Sequence, residues 1–230
     1  MTTHDPSPAT SGHVPRIVVS DFDGTMTRTD FFELARSELP SAATRDYWEA
    51  YVAGELSHFE ALAAIFASIR TDEKTLDALI ERMHLDGSLP SAVGRLRRSG
   101  WELVIASAGC SWYIYKLLRG AHLDIEVHAN PGTFSPEKGL QLSLPQDSPY
   151  FGRETGIDKV AVVRAALARS ACVAFAGDGR PDLEPAMLVP PARRFARGWL
   201  AHALEKRNEP FRSFEDWTDL ANQLLGETTS

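Results

Sequence analysis

RIVVSDFDGTMTRTD, residues 16–30, decides how the chain is read. Ile17, Val18 and Val19 favour a strand. The apolar run stops at Asp21, with Asp23 two positions on and Gly24 and Thr25 behind it. Strands of buried parallel sheets are near-continuous apolar runs, and open α/β sheets bind ligands at the carboxyl ends of their strands. Side chains two apart on extended chain point the same way, so Asp21 and Asp23 can face one cavity. Close carboxylates repel unless a proton or a cation intervenes, and a hard cation such as Mg²⁺ takes oxygen ligands. A turn with two solvated aspartates is the plainer alternative for this stretch taken by itself.

Working outward, strand-like runs recur at 101–107 (WELVIAS), 124–129 (DIEVHA), 172–177 (CVAFAG) and 193–197 (RRFAR). Helical patterns separate them, which predicts an α/β fold with a Rossmann-like parallel-sheet core. The interval after the first strand breaks that rhythm. YWEAYVAGEL, FEALAAIFASI and LDALIERM carry apolar residues at helical spacing, and Ser57 with Glu60 forms a capping-box pattern. Residues 28–88 are therefore expected to be an inserted helical-bundle cap, with 16–27 and 89–230 forming the core. A helix ended by Gly100 leads back into that core. A β-hairpin is expected within 130–145 and an amphipathic helix over about 214–225.

The 230 residues suffice for a core with a smaller attached unit, and 43% apolar content supports a large one. A net charge of -7, with no basic run, argues against a nucleic-acid partner, whose phosphates select Lys and Arg clusters. Cys110 and Cys172 form neither a disulfide framework nor a metal-ligand pair. Residues 1–15 are polar and rich in Pro, Ser and Thr; they are read as a disordered tail without the pattern of a signal peptide. No run is long enough for a membrane helix. A cytoplasmic protein is expected.

Other candidate residues fall at the same edge of the expected sheet. Ser107 closes the second strand, and the N–H groups of Ala108 and Gly109 can open a helix and bind an anion there; an ordinary N-cap serine is the alternative. Asp158 is placed to cap a helix that begins with Lys159, which is either a site residue or a solvated lysine. In AFAGDGRPDLEPA, Gly177, Asp178, Gly179 and Asp182 offer a tight turn and metal-ligating acids, or merely a strand-to-helix turn with a capping aspartate.

Taken in order, Asp-x-Asp-Gly-Thr, a strand-end Ser, a Lys and Gly-Asp-Gly-x-x-Asp resemble the four-motif signature of the haloacid dehalogenase superfamily of phosphatases. The resemblance runs from about Ile17 to the C-terminal helix. It implies that Asp21 is the nucleophile forming an aspartyl-phosphate, and that Asp23 is the general acid and base. It implies phosphate binding by Thr25, Ser107, Ala108 and Lys159. It further implies Mg²⁺ ligation by Asp21, Asp178 and the main-chain carbonyl of Asp23, with Asp182 in support. The substrate class would be a small phosphorylated metabolite.

The helical insert resembles the branch that holds phosphoserine phosphatases and the methionine-salvage phosphatase acting on 2-hydroxy-3-keto-5-methylthiopentenyl-1-phosphate. DFDGTMTRTD, GELS, SAGCSWYIYKLL, GDGRPDLEPA and FARGWLAHALEKRNEPFRSFEDW resemble the salvage type. Pro181 departs from phosphoserine phosphatases, which usually carry Asn just before the last Asp of the fourth motif; proline has no side-chain amide and no backbone donor. Asp30 can bind a substrate ammonium or hydroxyl, or cap the helix FFELARSEL. Phe31 and Phe32 can line the pocket or pack in the core. Trp112, Tyr113 and Tyr115 are read as core packing, Cys110 as a buried thiol, and His58, His84 and His128 as structural or surface residues. A carbon–halogen hydrolase, a phosphomutase and a non-catalytic binding module are the rival readings; Asp23 counts against the first, and the filled catalytic positions against the last.

Overall fold

The computed structural model describes residues 16–226, and the tail expected over 1–15 lies outside them. Six parallel strands form the central sheet in the order β10-β9-β8-β1-β2-β3. They are β1 (Arg16–Ser20), β2 (Trp101–Cys110), β3 (Glu126–Asn130), β8 (Val173–Gly177), β9 (Arg194–Ala196) and β10 (Arg212–Ser213). Ile17, Val18 and Val19 are wholly buried because both faces of the sheet are covered. Val18 packs with Leu103, Ile105, Ala174 and Ala176 on one face. Ile17 and Val19 pack with Val104, Ala106, Val173 and Phe175 on the other. This two-sided burial is why the strands are continuous apolar runs instead of alternating ones.

Between β1 and β2 the chain forms α1 (Phe31–Glu38), α2 (Tyr47–Val52), α3 (His58–Ser68), α4 (Glu73–Glu81) and α5 (Leu89–Arg98). Each of the first four starts at a side-chain cap: Asp30, Asp46, Ser57 and Asp72. The capping box of Ser57 and Glu60 is formed in both directions. Capping satisfies N–H groups that short helices cannot satisfy internally. Phe31, Phe66, Leu76 and Met83 from this segment join the apolar cluster on one sheet face.

After β2 come α6 (Ser111–Gly120), the hairpin of β4 (Gly132–Ser135) and β5 (Gly139–Leu142), and a small pair, β6 (Phe151–Gly152) with β7 (Gly156–Ile157). Then follow α7 (Lys159–Arg169), α8 (Leu183–Met187), α9 (Gly198–Lys206) and α10 (Trp217–Gly226). The expected hairpin lies within its predicted segment. One expectation is corrected, and one strand was not foreseen. The strand read over 124–129 starts two residues later, at Glu126. The short strand β10 carries no apolar run, because only two residues pair; such an edge strand leaves no periodic signal.

Candidate active site

Asp21 directly follows β1, and its N–H donates to the Ala176 carbonyl of β8 at 2.9 Å. That bond sets Asp21 beside Asp178, the first residue after β8. Phe22 turns into the core and is wholly buried, while Asp21 and Asp23 line a cavity of about 1010 Å³. Parity along the chain sends the two acids one way and the phenyl ring the other. Gly24 has φ +67°, and a Cβ on it would lie 2.3 Å from Asp178 Oδ2. Both facts require glycine: the left-handed backbone and the closeness of the acid.

Lys159 begins α7, whose N-cap Asp158 accepts from Ala161 N–H at 3.1 Å. Its Nζ lies 2.8 Å from Asp21 Oδ1 and 2.6 Å from Asp182 Oδ1, and all three residues are buried. Burial opposes charge on Lys159, but Asp182 and Asp21 outweigh it and raise its pKa. The lysine is an ammonium throughout the physiological range. Asp182 Oδ2 accepts the N–H groups of Asp178 and Gly179 at 3.1 and 2.8 Å, so this carboxylate is fully engaged.

Asp21, Asp178 and Asp182 each offer an oxygen within 4.8 Å of the others. Three carboxylates thus gather where one ammonium pairs with two of them. Burial first, and the charges of Asp182 and Asp178 next, push the Asp21 carboxyl well above the usual range. Burial and Asp182 raise Asp178 to about 7. Oδ2 of Asp21 and Oδ2 of Asp178 receive no hydrogen bond from the described residues. Two unsaturated oxygens beside excess negative charge suit a hard divalent cation, so the donor set fits a metal ion.

The expected phosphate binders divide. Ser107 and Ala108 line the cavity. Thr25 is wholly buried, is absent from the lining, and donates to Asp178 Oδ1 at 2.8 Å. It steadies an acid instead of facing the phosphate, a correction that follows from the chain turning at Gly24. A second correction concerns Ala108 and Gly109. They do not open a helix: β2 continues to Cys110 through an irregularity in which four residues stand against two of β3, and α6 starts at Ser111. The Gly109 N–H donates to Ser107 Oγ at 2.9 Å and is therefore not free for an anion. Bulges re-aim side chains near sites, and here Ser107 Oγ comes to 3.4 Å from Asp23 Oδ2.

The cap expected of Asp30 is formed, accepting from Phe32 N–H at 2.6 Å, and its side chain also faces the site. Phe32 also lines the cavity and stacks on Trp48 at 4.4 Å, while Phe31 packs inside against Phe66 and Tyr113. Three residues of the site were not read as site residues from the sequence: Arg197 went unnamed, Tyr113 was read as core packing and His58 as structural or surface. Arg197 donates through Nε to the Gly24 carbonyl at 2.7 Å, and through Nη2 to the carbonyls of Thr25 and Thr27 at 2.8 and 2.7 Å. It ties the first motif's turn in place. Tyr113 donates to Asp23 Oδ2 at 2.8 Å. His58 lines the cavity, where burial and Lys159 lower its pKa to about 4, so it is a neutral imidazole. Cys110 is inert, its thiol pushed up to about 12 by burial.

The description "haloacid dehalogenase-like hydrolase" belongs to a family whose model matches residues 18–187. A 2-hydroxy-3-keto-5-methylthiopentenyl-1-phosphate phosphatase of Bacillus cereus is 22% identical over 210 residues, covering 90% of this chain and 94% of that protein. Among solved structures, a HAD family hydrolase from Salmonella enterica serovar Typhi superposes with a TM-score of 0.64 at 17% identity, over 87% of this chain and 68% of that one. A phosphoserine phosphatase, solved as a phospho-aspartyl intermediate analogue, superposes with a TM-score of 0.63 at 14% identity, over 93% and 99%. The family match spans β1 through α8 and so takes in every acid gathered at the sheet's carboxyl edge: the chain belongs to the haloacid dehalogenase-like hydrolases.

Proposed function

We propose that this hydrolase is a Mg²⁺-dependent phosphatase that releases phosphate from a small phosphomonoester through an aspartyl-phosphate on Asp21. The observation that carries the reading is the Asp21 carboxylate, held 2.8 Å from the Lys159 ammonium and beside the underused oxygens of Asp178. An oxygen of Asp21 attacks phosphorus. Asp23 gives its proton to the departing alcohol, then takes one from the water that cleaves the aspartyl ester. Burial first raises the Asp23 pKa, against the Tyr113, Phe31 and Ser107 hydrogen bonds, which suits a carboxyl that must begin protonated. Lys159 and Ser107 hold phosphate oxygens. Mg²⁺, taken by Asp21, Asp178 and the Asp23 carbonyl, would offset the negative charge of the transferring group. Residues 28–88 act as the cap that excludes water. The free thiols of Cys110 and Cys172 agree with a cytoplasmic setting.

The substrate we favour is of the methionine-salvage kind. Phe32, Trp48, Phe66 and Trp199 give the cavity an aromatic wall. Such a wall suits the methylthio group in the name of the Bacillus relative's substrate, because thioether sulfur packs well on aromatic rings. Serine phosphate has no apolar part, and Pro181, which lines the cavity, offers it no donor. Phosphate release from a panel containing both esters, with Mg²⁺ and with EDTA, tests the proposal. We expect kcat/KM for the methylthio ester to exceed that for phosphoserine by about 10-fold or more, the step set by ~1.4 kcal/mol of binding. Faster turnover of phosphoserine would reverse the assignment.

Metal binding is expected to be visible in stability. Asp178 is raised to about 7 in the folded chain. An acid raised on folding binds its proton more tightly folded than unfolded. The contribution of Asp178 to metal-free stability is therefore largest below the ordinary carboxylate range and is lost as pH rises through about 7. Mg²⁺ competes with that proton. At 100 times its Kd it should add about 2.7 kcal/mol, roughly 5–10 °C in Tm, near pH 8, and much less near pH 5. Thermal melts across that pH range check it; an equal gain at both pH values counts against ligation by Asp178.

A further inference from the structure

Tyr113 lies in the first turn of α6, 1% exposed. Its ring stacks on Phe31 with centroids 4.6 Å apart, and Phe31 meets Phe66 edge-on at 5.0 Å. A phenylalanine would make those ring contacts equally well. The hydroxyl adds a buried polar group that costs free energy unless it is hydrogen-bonded, and it donates to Asp23 Oδ2 at 2.8 Å. The other oxygen, Oδ1, accepts the N–H of Phe31 at 3.2 Å. One stacked pair therefore grips both ends of one carboxyl group: Tyr113 through its hydroxyl, Phe31 through its backbone.

The bulge of β2 leaves room for this contact. A Cβ on Gly109 would lie 2.0 Å from the Tyr113 hydroxyl and 2.5 Å from Asp23 Oδ2. Any larger residue would separate the pair. The same bulge brings Ser107 Oγ to 3.4 Å from that carboxyl oxygen. The cavity is lined by Asp23, Ser107, Gly109 and Tyr113 together, so the contact is at the site itself.

We propose that Tyr113 is a positioning residue for proton transfer: its hydroxyl aims the Asp23 carboxyl at the leaving oxygen and steadies the carboxylate left behind. The inference rests on the phosphatase reading above. In the first step the phosphorus–oxygen bond to the alcohol breaks, and its electron pair stays on the alcohol oxygen. The proton of Asp23 moves to that oxygen, and the new carboxylate accepts the Tyr113 O–H. In the second step water gives a proton back to Asp23 while its oxygen bonds to phosphorus. The Asp21–phosphorus ester bond breaks, releasing inorganic phosphate and restoring both acids.

Leaving-group dependence tests this role, because an alkoxide needs the proton and a nitrophenolate leaves without it. The native protein, loaded with Mg²⁺, is assayed on a primary alkyl phosphate and on p-nitrophenyl phosphate. Native turnover of both esters is the check on the phosphatase reading. The difference between them in Tyr113→Phe is the check on Tyr113. For the alkyl ester we expect kcat to fall about 10-fold or more, as for loss of a hydrogen bond to a charged group, with KM within ~2-fold. For the nitrophenyl ester the loss should stay below about 3-fold, since little proton transfer is required. In an Asp23→Asn background the tyrosine substitution should cost nothing further, as expected of two residues acting as one unit. Gly109→Ala, whose Cβ would lie 2.0 Å from the Tyr113 hydroxyl and 2.5 Å from Asp23 Oδ2 and so part the pair by displacing one or both, should repeat the alkyl-selective loss and covers the case in which Tyr113→Phe folds poorly. Equal losses on both esters, or a change in KM instead of kcat, would overturn the assignment.

Discussion

Asp21→Asn should remove turnover by about 10⁴-fold or more while leaving the fold intact, the scale seen when a catalytic nucleophile is deleted. An amide cannot attack phosphorus as a carboxylate does, and nothing else near phosphorus replaces it. In the proposed mechanism Asp23 is reserved for protons, and Asp178 and Asp182 for the cation and Lys159. The stability outcome separates this loss from unfolding. In the native chain, burial and two neighbouring acids disfavour the Asp21 charge. Neutralising it relieves that repulsion, and Asp182 still holds Lys159 at 2.6 Å. The variant should therefore melt at or above the native temperature without metal. It should gain less from Mg²⁺, having lost one of its carboxylate ligands. Calorimetry with and without Mg²⁺, beside single-turnover phosphate release, measures both. Retention of more than about 1% of kcat would place the nucleophile elsewhere, since substitution of a true nucleophile leaves far less.

That pattern of strain and function explains which parts were legible in the chain. Ile17-Val18-Val19 and VAFAG declare themselves because a parallel strand must be apolar on both faces, and the acids that follow them break the run abruptly. Asp21 and Asp178 were readable because each sits one step beyond such a strand, and Lys159 because it follows the cap Asp158 at the start of α7; topology brings all three to the same edge. Tyr113 was not: an aromatic residue on an amphipathic helix looks the same whether its hydroxyl meets water, core or a carboxylate. Arg197 escaped for a different reason. Its partners are the carbonyls of Gly24, Thr25 and Thr27, and backbone acceptors leave no mark in sequence. Thr25 and Gly109 show the limit of motif reading itself. The right residue types stood in the right order, but the turn at Gly24 aimed one hydroxyl at Asp178, and the bulge in β2 tied up one N–H on Ser107.

Lys159→Ala should damage stability and activity together, and the two effects can be pulled apart. Lys159 carries the positive charge between Asp21 and Asp182, and Asp182 is wholly buried. Removing one partner from a buried pair leaves an uncompensated charge, which costs about 3–5 kcal/mol, or roughly 6–20 °C in Tm for a chain of this size. Part of that cost is avoided by proton uptake, so the loss should shrink as pH falls and the orphaned carboxylates protonate. Adding Asp182→Asn removes the most buried of those charges, and the double variant should recover most of the melting temperature. Activity should not follow. If the proposed mechanism holds, phosphate binding and the offsetting of charge at Asp21 both require the ammonium, so kcat/KM should stay down by about 10³-fold, the scale of a lost charged group in phosphoryl transfer. Recovery of the fold with no recovery of turnover assigns Lys159 a part in chemistry. If the double variant regains both, the lysine served only to hold two acids in a dry interior.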